Sequence, residues 1–421
     1  MSGVYSRARA EELDARDPLA GFRASFAMPD PDLIYLDGNS LGRMPAATPG
    51  KLSDALHREW ADRLIRSWNE TWFDLPSRVG DLIGSHFLGA APGQVVIADS
   101  TTVNFYKLVA AAVAARPGRR TIITDRANFP TDRYVVEGVA AAHGLTATLA
   151  DFDEIDGPTS SAVAAAVSSD TALVTLSLVD YRSGALADMA AINEVVHAAG
   201  ALVLWDLSHA AGAVPVELDG TGTDLAVGCT YKYLNGGPGA PAFLYVRSDL
   251  VADLMPPIWG WYGQRDQFAM GQGFRPVPGP GRFLSGTPHV LGAIAAEEGT
   301  RLMAQAGIGR LREKSIQLTD LAIELADAWL APYGCVLASP RAAGRRGSHI
   351  SLAHPDGYRI CRALIELGGV IPDFRQPDRI RLGLAPAYTR FTDVWDGLDR
   401  LRTILADGRY LTVDLPDLPV T

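Results

Sequence analysis

The stretch "GCTYKYLNGGPGAP", residues 228–241, sets Lys232 between two tyrosines at the end of an apolar run, ahead of glycines and prolines that exclude a helix. A surface lysine needs no such neighbours, and a buried ammonium group is costly. The ordinary reading is a strand-end lysine whose stem follows apolar surface out to water. The context favours another one. "LNGGPGAP" lets the backbone fold close to something, and a desolvated lysine in such a place can form a Schiff base with a carbonyl compound.

The partner comes from "LVLWDLSHAAG", residues 202–212. Asp206 closes an apolar strand and points into the same crevice, with His209 three positions on. Alone, Asp206 reads more readily as the cap of a short helical turn. Together, Asp206, His209 and Lys232 meet the needs of pyridoxal 5'-phosphate. A carboxylate keeps the pyridine nitrogen protonated so that the ring can take up carbanion electrons, and a lysine binds the aldehyde. The 26 residues between Asp206 and Lys232 fit two strands of one sheet. In "ADSTTVNFYKL", Ser100, Thr101 and Thr102 lie between a strand and a helical run. Free backbone N–H groups and hydroxyls there suit a phosphate, although the same pattern is also a common helix cap.

The surrounding rhythm predicts an α/β fold. "QVVIAD", "TIITD", "ALVTLSLV", "ALVLWD", "LAVGCT" and "APAFLYV" read as short buried strands. "TDRYVVEGVAAAHG" and "MAAINEVVHAAG" read as helices that close on glycine. Near-continuous apolar strands alternating with helices imply a mostly parallel sheet covered on both faces, with ligands beyond the carboxyl ends of its strands. Residues 1–45, dense in turn formers, read as an irregular N-terminal segment that contributes to the site, and residues 46–290 as the large domain. Residues 291–421 read as a smaller α+β domain opened by one long linking helix, with strands at "GSHISLAH", "VIPDFR" and "IRLGLAP".

The chain of 421 residues is 48% apolar and 20% charged, ordinary for a soluble globular protein, and long enough for two domains. A net charge of −10 argues against nucleic acid or an anionic membrane as partner. No apolar run reaches the roughly 18 residues a membrane span requires, and the N-terminus has no signal-peptide core. Cys229, Cys335 and Cys361 are odd in number and far apart, which fits a reducing compartment and leads us to expect a cytoplasmic protein. Metal-ligand spacings are missing, so no metal site is expected. Arg381, in "PDRIRLGLAP", suits a carboxylate through its planar fork, with Arg375 and Arg379 as rivals. Trp259, Trp261 and Tyr262, like Trp68 and Trp72, are interleaved with glycine and polar residues, as in a wall facing an aromatic ligand.

In order along the chain, "YLDGNSLGRMP", "STTVNFYK", "NFPTDRYVVEG", "WDLSHAAGAVPVEL", "GCTYKYLNGGPGAP", "GWYGQ" and "FLSGTPHV" closely resemble the kynureninase family, pyridoxal-phosphate enzymes of tryptophan catabolism with the aspartate-aminotransferase (type I) fold. The resemblance implies a seven-stranded large-domain sheet and a homodimer with shared active sites. It implies that Lys232 holds the cofactor covalently, that Asp206 pairs with the pyridine nitrogen, and that His209 lies beside it. By the same likeness Thr101 and Thr102 hold the phosphate, Phe129 stacks on the ring, and Asp132 and Ser183 share the pocket. Tyr231 serves as proton donor, while Trp261, Gly286 and Thr287 come from the neighbouring subunit. Arg381 would hold the substrate carboxylate, Asn39 and Ser40 would bind the substrate too, and Trp68 and Gly286 beside the substrate ring favour L-kynurenine over its 3-hydroxy analogue.

Two rival functions remain. A cysteine desulfurase-like lyase needs an exposed, activated cysteine, and none of the three looks so placed. A binding protein that keeps the cofactor as a prop would show gaps in the set Lys232, Asp206, His209, Tyr231 and Arg381, and none is missing.

Overall fold

The computed structural model describes residues 5–415. Its centre is a seven-stranded sheet formed by β1 (Val95–Ala98), β2 (Thr121–Asp125), β3 (Thr146–Ala150), β4 (Thr171–Ser177), β5 (Leu202–Asp206), β6 (Leu225–Gly228) and β7 (Ala242–Val246). They lie in the order β1-β7-β6-β5-β4-β2-β3, with β7 antiparallel to both neighbours and the other pairs parallel. Side chains alternate across this sheet into two buried layers. Val203 and Trp205 enter one, and Leu202 and Leu204 the other. Both faces are therefore apolar, as an internal parallel sheet requires. The strand order reverses between β2 and β4, and an open crevice forms at such a point beyond the carboxyl ends.

Helices pack on both layers. One runs from Pro130 to His143, with proline at its first turn and Gly144 at φ +63° closing it. Another spans Thr101–Ala114, capped by Ser100, whose Oγ accepts from the Val103 N–H. The helix Leu75–Ile83 approaches β1 closely through Gly80, where a Cβ would lie 2.6 Å from the Val95 carbonyl carbon and 2.7 Å from Val96 Cα.

A second sheet has four antiparallel strands, in the order Asp373–Arg375, Arg379–Gly383, His349–Ala353 and Val336–Leu337. Its core is separate and includes Ile350, Leu352, Ile380, Leu382 and Leu398. The "VIPDFR" segment splits in two: Asp373–Arg375 joins this sheet, whereas Val370–Ile371 pairs in parallel with Ile34–Tyr35 of the N-terminal segment.

Three expectations are corrected. The single linking helix is two, Val290–Ala306 and Ile308–Trp329, broken at Gly307, whose φ of +81° lies outside the helical region. The N-terminal segment is not irregular throughout, since Arg7–Arg16 is a helix that buries only Ala10. Edge strand β3 carried no apolar run to reveal it, being partly exposed along its length. Among the described residues no helix is long and apolar enough to cross a membrane.

Adding one methyl group at the Gly80 contact tests this packing. Gly80→Ala should destabilise the protein by about 1–3 kcal/mol, as overpacking typically does, and lower the midpoint of thermal unfolding. An unchanged midpoint would show that β1 and its helix can separate freely.

Candidate active site

Beyond the carboxyl ends of the large sheet lies a cavity of about 460 Å³, within the range of small-molecule sites. Its wall includes Thr101 and Thr102 after β1, Phe129 and Asp132 after β2, Asp206 and His209 after β5, and Tyr231 and Lys232 after β6. Eight of the residues singled out in the sequence thus converge from four strand ends. Ser183 lies outside this lining: it is buried, and its Oγ donates to Asp180 Oδ1 at 3.0 Å.

Lys232 Nζ lies 3.0 Å from His209 Nε2. Burial, then the charge of Lys232, holds the His209 imidazolium well below its ordinary range, so the ring is neutral and Nε2 accepts from the amine. The backbone around Lys232 is fixed from two sides. Gly42 N–H donates to the Tyr231 carbonyl at 2.8 Å, and Asn235 N–H donates to the Lys232 carbonyl at 3.0 Å. Asn235 sits at φ +56° and opens the glycine run whose Gly239 reaches the cavity wall. The amine is thereby met by a ring at one end and held by a pinned backbone at the other.

Asp206 Oδ1 accepts from Ser208 N–H at 2.7 Å. Burial, then the Asp206 carboxylate, pushes the Asp132 carboxyl well above its ordinary range, which makes Asp132 the protonated member of the pair. Asp132 Oδ1 is buried and finds no other protein partner. Asn128 organises this corner: its amide donates to Asp132 Oδ2 at 3.3 Å, and its oxygen accepts from Phe129 N–H at 2.8 Å and from Ser177 Oγ at 2.7 Å. Phe129 is left 40% exposed at the cavity, an apolar platform in a polar wall, with its ring edge-on to Tyr181 at 5.3 Å. At the opposite end, the helix that starts at Thr101 turns free N–H groups and hydroxyls inward. Asp99, just before it, holds φ +40° while its carboxylate binds the fully buried Lys107 at 2.5 Å; Lys107 also donates to the Phe283 carbonyl at 2.7 Å.

These features fit pyridoxal phosphate. A pair of neighbouring carboxyl groups suits a pyridinium, a helix N-terminus with hydroxyls suits a phosphate, and an exposed ring lies at the same cavity as the amine.

Arg381 is away from that lining and almost fully buried. Its guanidinium forms an ion pair with Asp373 and donates to the Tyr181 carbonyl at 2.6 Å and to Ser40 Oγ at 2.8 Å. With the Asn39 amide oriented so that its oxygen faces the arginine, it accepts from Arg381 Nε at 3.0 Å. Asn39, Ser40 and Arg381 therefore meet, as expected, although 341 positions separate Ser40 from Arg381. Arg375 shares Asp373 at 2.8 Å. Trp68, Trp261 and Thr287 line a different groove of about 250 Å³, together with Phe73, Tyr262 and Phe268. Gly286 and Thr287 also border a small cleft whose Asp99 and His289 belong to the main cavity wall.

Sequence reasoning missed Asn128, Tyr181, Ser208 and Asp373. Asn128 was visible inside "NFPTDRYVVEG"; Asp373 could be found only once the smaller sheet had closed on the N-terminal segment.

Comparison with known proteins completes the picture. Solved structures share the fold: a cysteine desulfurase from Thermococcus onnurineus NA1 superposes with a TM-score of 0.80 at 17% identity, covering 92% of this chain and 98% of that one. A C-DES mutant with glycine covalently linked to its PLP cofactor gives 0.78 at 18% identity, covering 91% and 99%. The family model for the kynureninase C-terminal domain matches residues 311–401. Kynureninase from Pseudomonas fluorescens is 44% identical over 401 residues, covering 93% of this chain and 94% of the relative. Kynureninase from Burkholderia pseudomallei is 44% identical over 408 residues, covering 96% of each. Identity at that level over nearly the full length of both chains establishes that this protein belongs to the kynureninase family.

Proposed function

We propose that the protein is a pyridoxal-phosphate-dependent hydrolase that cleaves the Cβ–Cγ bond of L-kynurenine to give anthranilate and L-alanine. The observation that carries this reading is the convergence of Lys232, His209, Asp206 and Asp132 on one cavity in a chain of this family. When bound, the cofactor supplies an aldehyde for covalent capture of an amine and a ring that takes up carbanion electrons.

The chain's own residues supply the rest. Lys232 offers the amine that holds the cofactor and, once released, a base for the substrate α-proton, with neutral His209 accepting its hydrogen bond. Asp206 presents its carboxylate to the ring nitrogen, oriented by its Ser208 N–H contact, beside Asp132, whose carboxyl is pushed up. Thr101 and Thr102 face the phosphate from the helix start, and Phe129 supports the ring from one face. The Cys229 sulfur, then burial, pushes the Tyr231 phenol above its ordinary range, so it stays protonated and serves as a proton donor beside Lys232. Arg381 holds the substrate carboxylate, with Asn39 and Ser40 as its supports.

The groove of Trp68 and Trp261, with Phe268 at 67% and Ile65 at 77% exposure around it, supports a homodimer. In that assembly Trp261, Gly286 and Thr287 of one subunit complete the other's site, and Trp68 with Gly286 sets the preference for L-kynurenine. Residues 46–290 form the cofactor-binding domain, residues 291–421 the smaller one, and residues 1–45 the segment that joins the site. A desulfurase-like reading gains no support, because Cys229, Cys335 and Cys361 are all buried, with burial pushing the Cys335 thiol up to about 11.

Anthranilate fluorescence with kynurenine and 3-hydroxykynurenine in parallel tests the reading. Turnover should be faster with kynurenine and should vanish in Lys232→Ala together with the cofactor's lysine-bound absorbance; normal turnover by that variant would end the scheme. Tyr231→Phe should keep the absorbance and slow kcat by about 100-fold, in the range of general acid–base contributions. Unaltered kcat would remove Tyr231 from proton transfer.

The arginine cluster carries its own pH signature. Burial, then the charge of Asp373, pushes the Asp37 carboxyl up to about 7, against Arg381 and Ser40. A carboxyl raised in the folded state stabilises the fold fully below its unfolded value, roughly 4, and that contribution is lost as pH climbs through the folded value. Urea unfolding should therefore find Asp37→Asn gaining stability relative to the parent between pH 5 and pH 8. Parallel pH profiles for the two proteins would show that Asp37 ionises normally.

A further inference from the structure

Lys232 rests on His209, and His209 raises a question of its own. Its Nε2 faces the Lys232 amine at 3.0 Å, so in the neutral ring the proton belongs on Nδ1. That Nδ1 is buried and has no hydrogen-bond partner. A buried N–H without an acceptor costs on the order of 1–3 kcal/mol.

The neighbouring ring is His349, fully buried, with its centroid 5.2 Å from that of His209 and the planes at 55°. Both of its nitrogens likewise lack a close partner. Burial, then Arg381 and Lys232, with Arg375 adding, holds His349 neutral, while the Asp180 backbone acts in the opposite sense. A neutral imidazole offers one N–H and one lone pair. The Asp180 backbone, which favours a proton on the ring, lies near His349, and the His209 ring lies 5.2 Å away between centroids. Space for the ring is reserved: a Cβ on Gly184, which sits at φ +74°, would lie 2.6 Å from the His349 carbonyl oxygen and 3.2 Å from Nε2. His349 stands on the strand paired with Arg379–Gly383, so it moves with the strand pair that carries Arg381. A space-filling role would be met better by leucine, which leaves no polar atom unpaired.

We propose that His349 is a positioning residue: through one bridging water it accepts from His209 Nδ1–H, and so keeps the His209 Nε2 lone pair aimed at Lys232. This deepens the proposed function, on which it rests for the role of Lys232 but not for the hydrogen-bond chain itself. The order runs from Lys232 Nζ to His209, from His209 to His349, and from His349 to the Asp180 backbone. Through it, the sheet that bears Arg381 is tied to the amine that works on the substrate.

The test reads tautomers. Long-range ¹⁵N–¹H spectra of histidine-labelled full-length protein, freed of cofactor and assigned with His209→Asn, should show His209 protonated on Nδ1 alone. His349→Phe keeps a ring and removes the acceptor, and should shift His209 towards the Nε2–H form. His349→Gln restores an acceptor and should return it. In turnover assays the Phe variant should lose about 10-fold or more in kcat, as loss of an orienting partner does, with KM little changed and Gln recovering most of it. A wild-type His209 protonated on Nε2 would overturn the proposal without any variant, and so would a Phe variant that keeps the Nδ1–H form. Because the spectra need no substrate, a protein inert to kynurenine could still support the chain, and an active one could still refute it.

Discussion

A lysine amine at the wall of the cavity, beside a buried neutral imidazole, is the contact on which the rest of the architecture depends. It is stable only while the ring stays uncharged and the lysine backbone cannot drift. Burial, reinforced by the nearby cations, secures the first condition. The second is secured by a segment from the other end of the chain, whose Gly42 donates to the Tyr231 carbonyl. A side chain at residue 42 has no room there, because a Cβ would run into the Lys232 carbonyl and the Asn235 amide. Gly42 of "LDGNSLG" thus answers a close approach of two backbones beside the amine, whereas Gly237 and Gly239 of "LNGGPGAP" serve a chain at φ +87° and +71°.

Polarity is graded along the cavity. One end holds two neighbouring carboxyl groups, with that of Asp132 pushed up by burial and by Asp206, and the other presents the positive end of a helix dipole with hydroxyls. A ligand with a cationic ring nitrogen and an anionic tail can lie in only one direction between them. The aromatic platform of Phe129 adds no charge and sets the plane. Orientation therefore comes from fixed groups on rigid strand ends rather than from loops that must close. Asn128 shows how economical this is, since one side chain positions the platform, the carboxyl pair and β4 together.

What could be read in the sequence follows from how local each signal is. Six of the seven large-sheet strands announce themselves as apolar runs because both their faces are covered. β3, at an edge, alternates threonine and alanine and is partly exposed, so nothing in its composition separates it from a loop. The helix Arg7–Arg16 is polar and owes its place to docking against the C-terminal helix, as in the Arg7–Asp396 ion pair at 2.7 Å. Asp206, Lys232, Thr101 and Thr102 were legible because a strand end fixes where a side chain points. His349 and Asp373 were not: both stand on strands of the smaller sheet, and their neighbours at the site come from segments more than a hundred residues away.

Arg381 makes the same point about function. Four protein groups from three parts of the chain hold its fork: Asn39 and Ser40 from the N-terminal segment, the Tyr181 carbonyl after β4, and Asp373 from the adjoining strand. A guanidinium so surrounded keeps its charge and its plane when no ligand is near. A carboxylate proposed to bind there would gain from that preorganisation only by replacing a contact already made, and Asp373 would be the group able to yield, since Arg375 binds it as well at 2.8 Å. Exchange of one carboxylate for another on the same fork costs less than exposing a bare cation. Under that proposal, recognition would depend on the docking of the N-terminal segment and the smaller sheet onto the large one, so that specificity for a carboxylate would be a property of the whole chain.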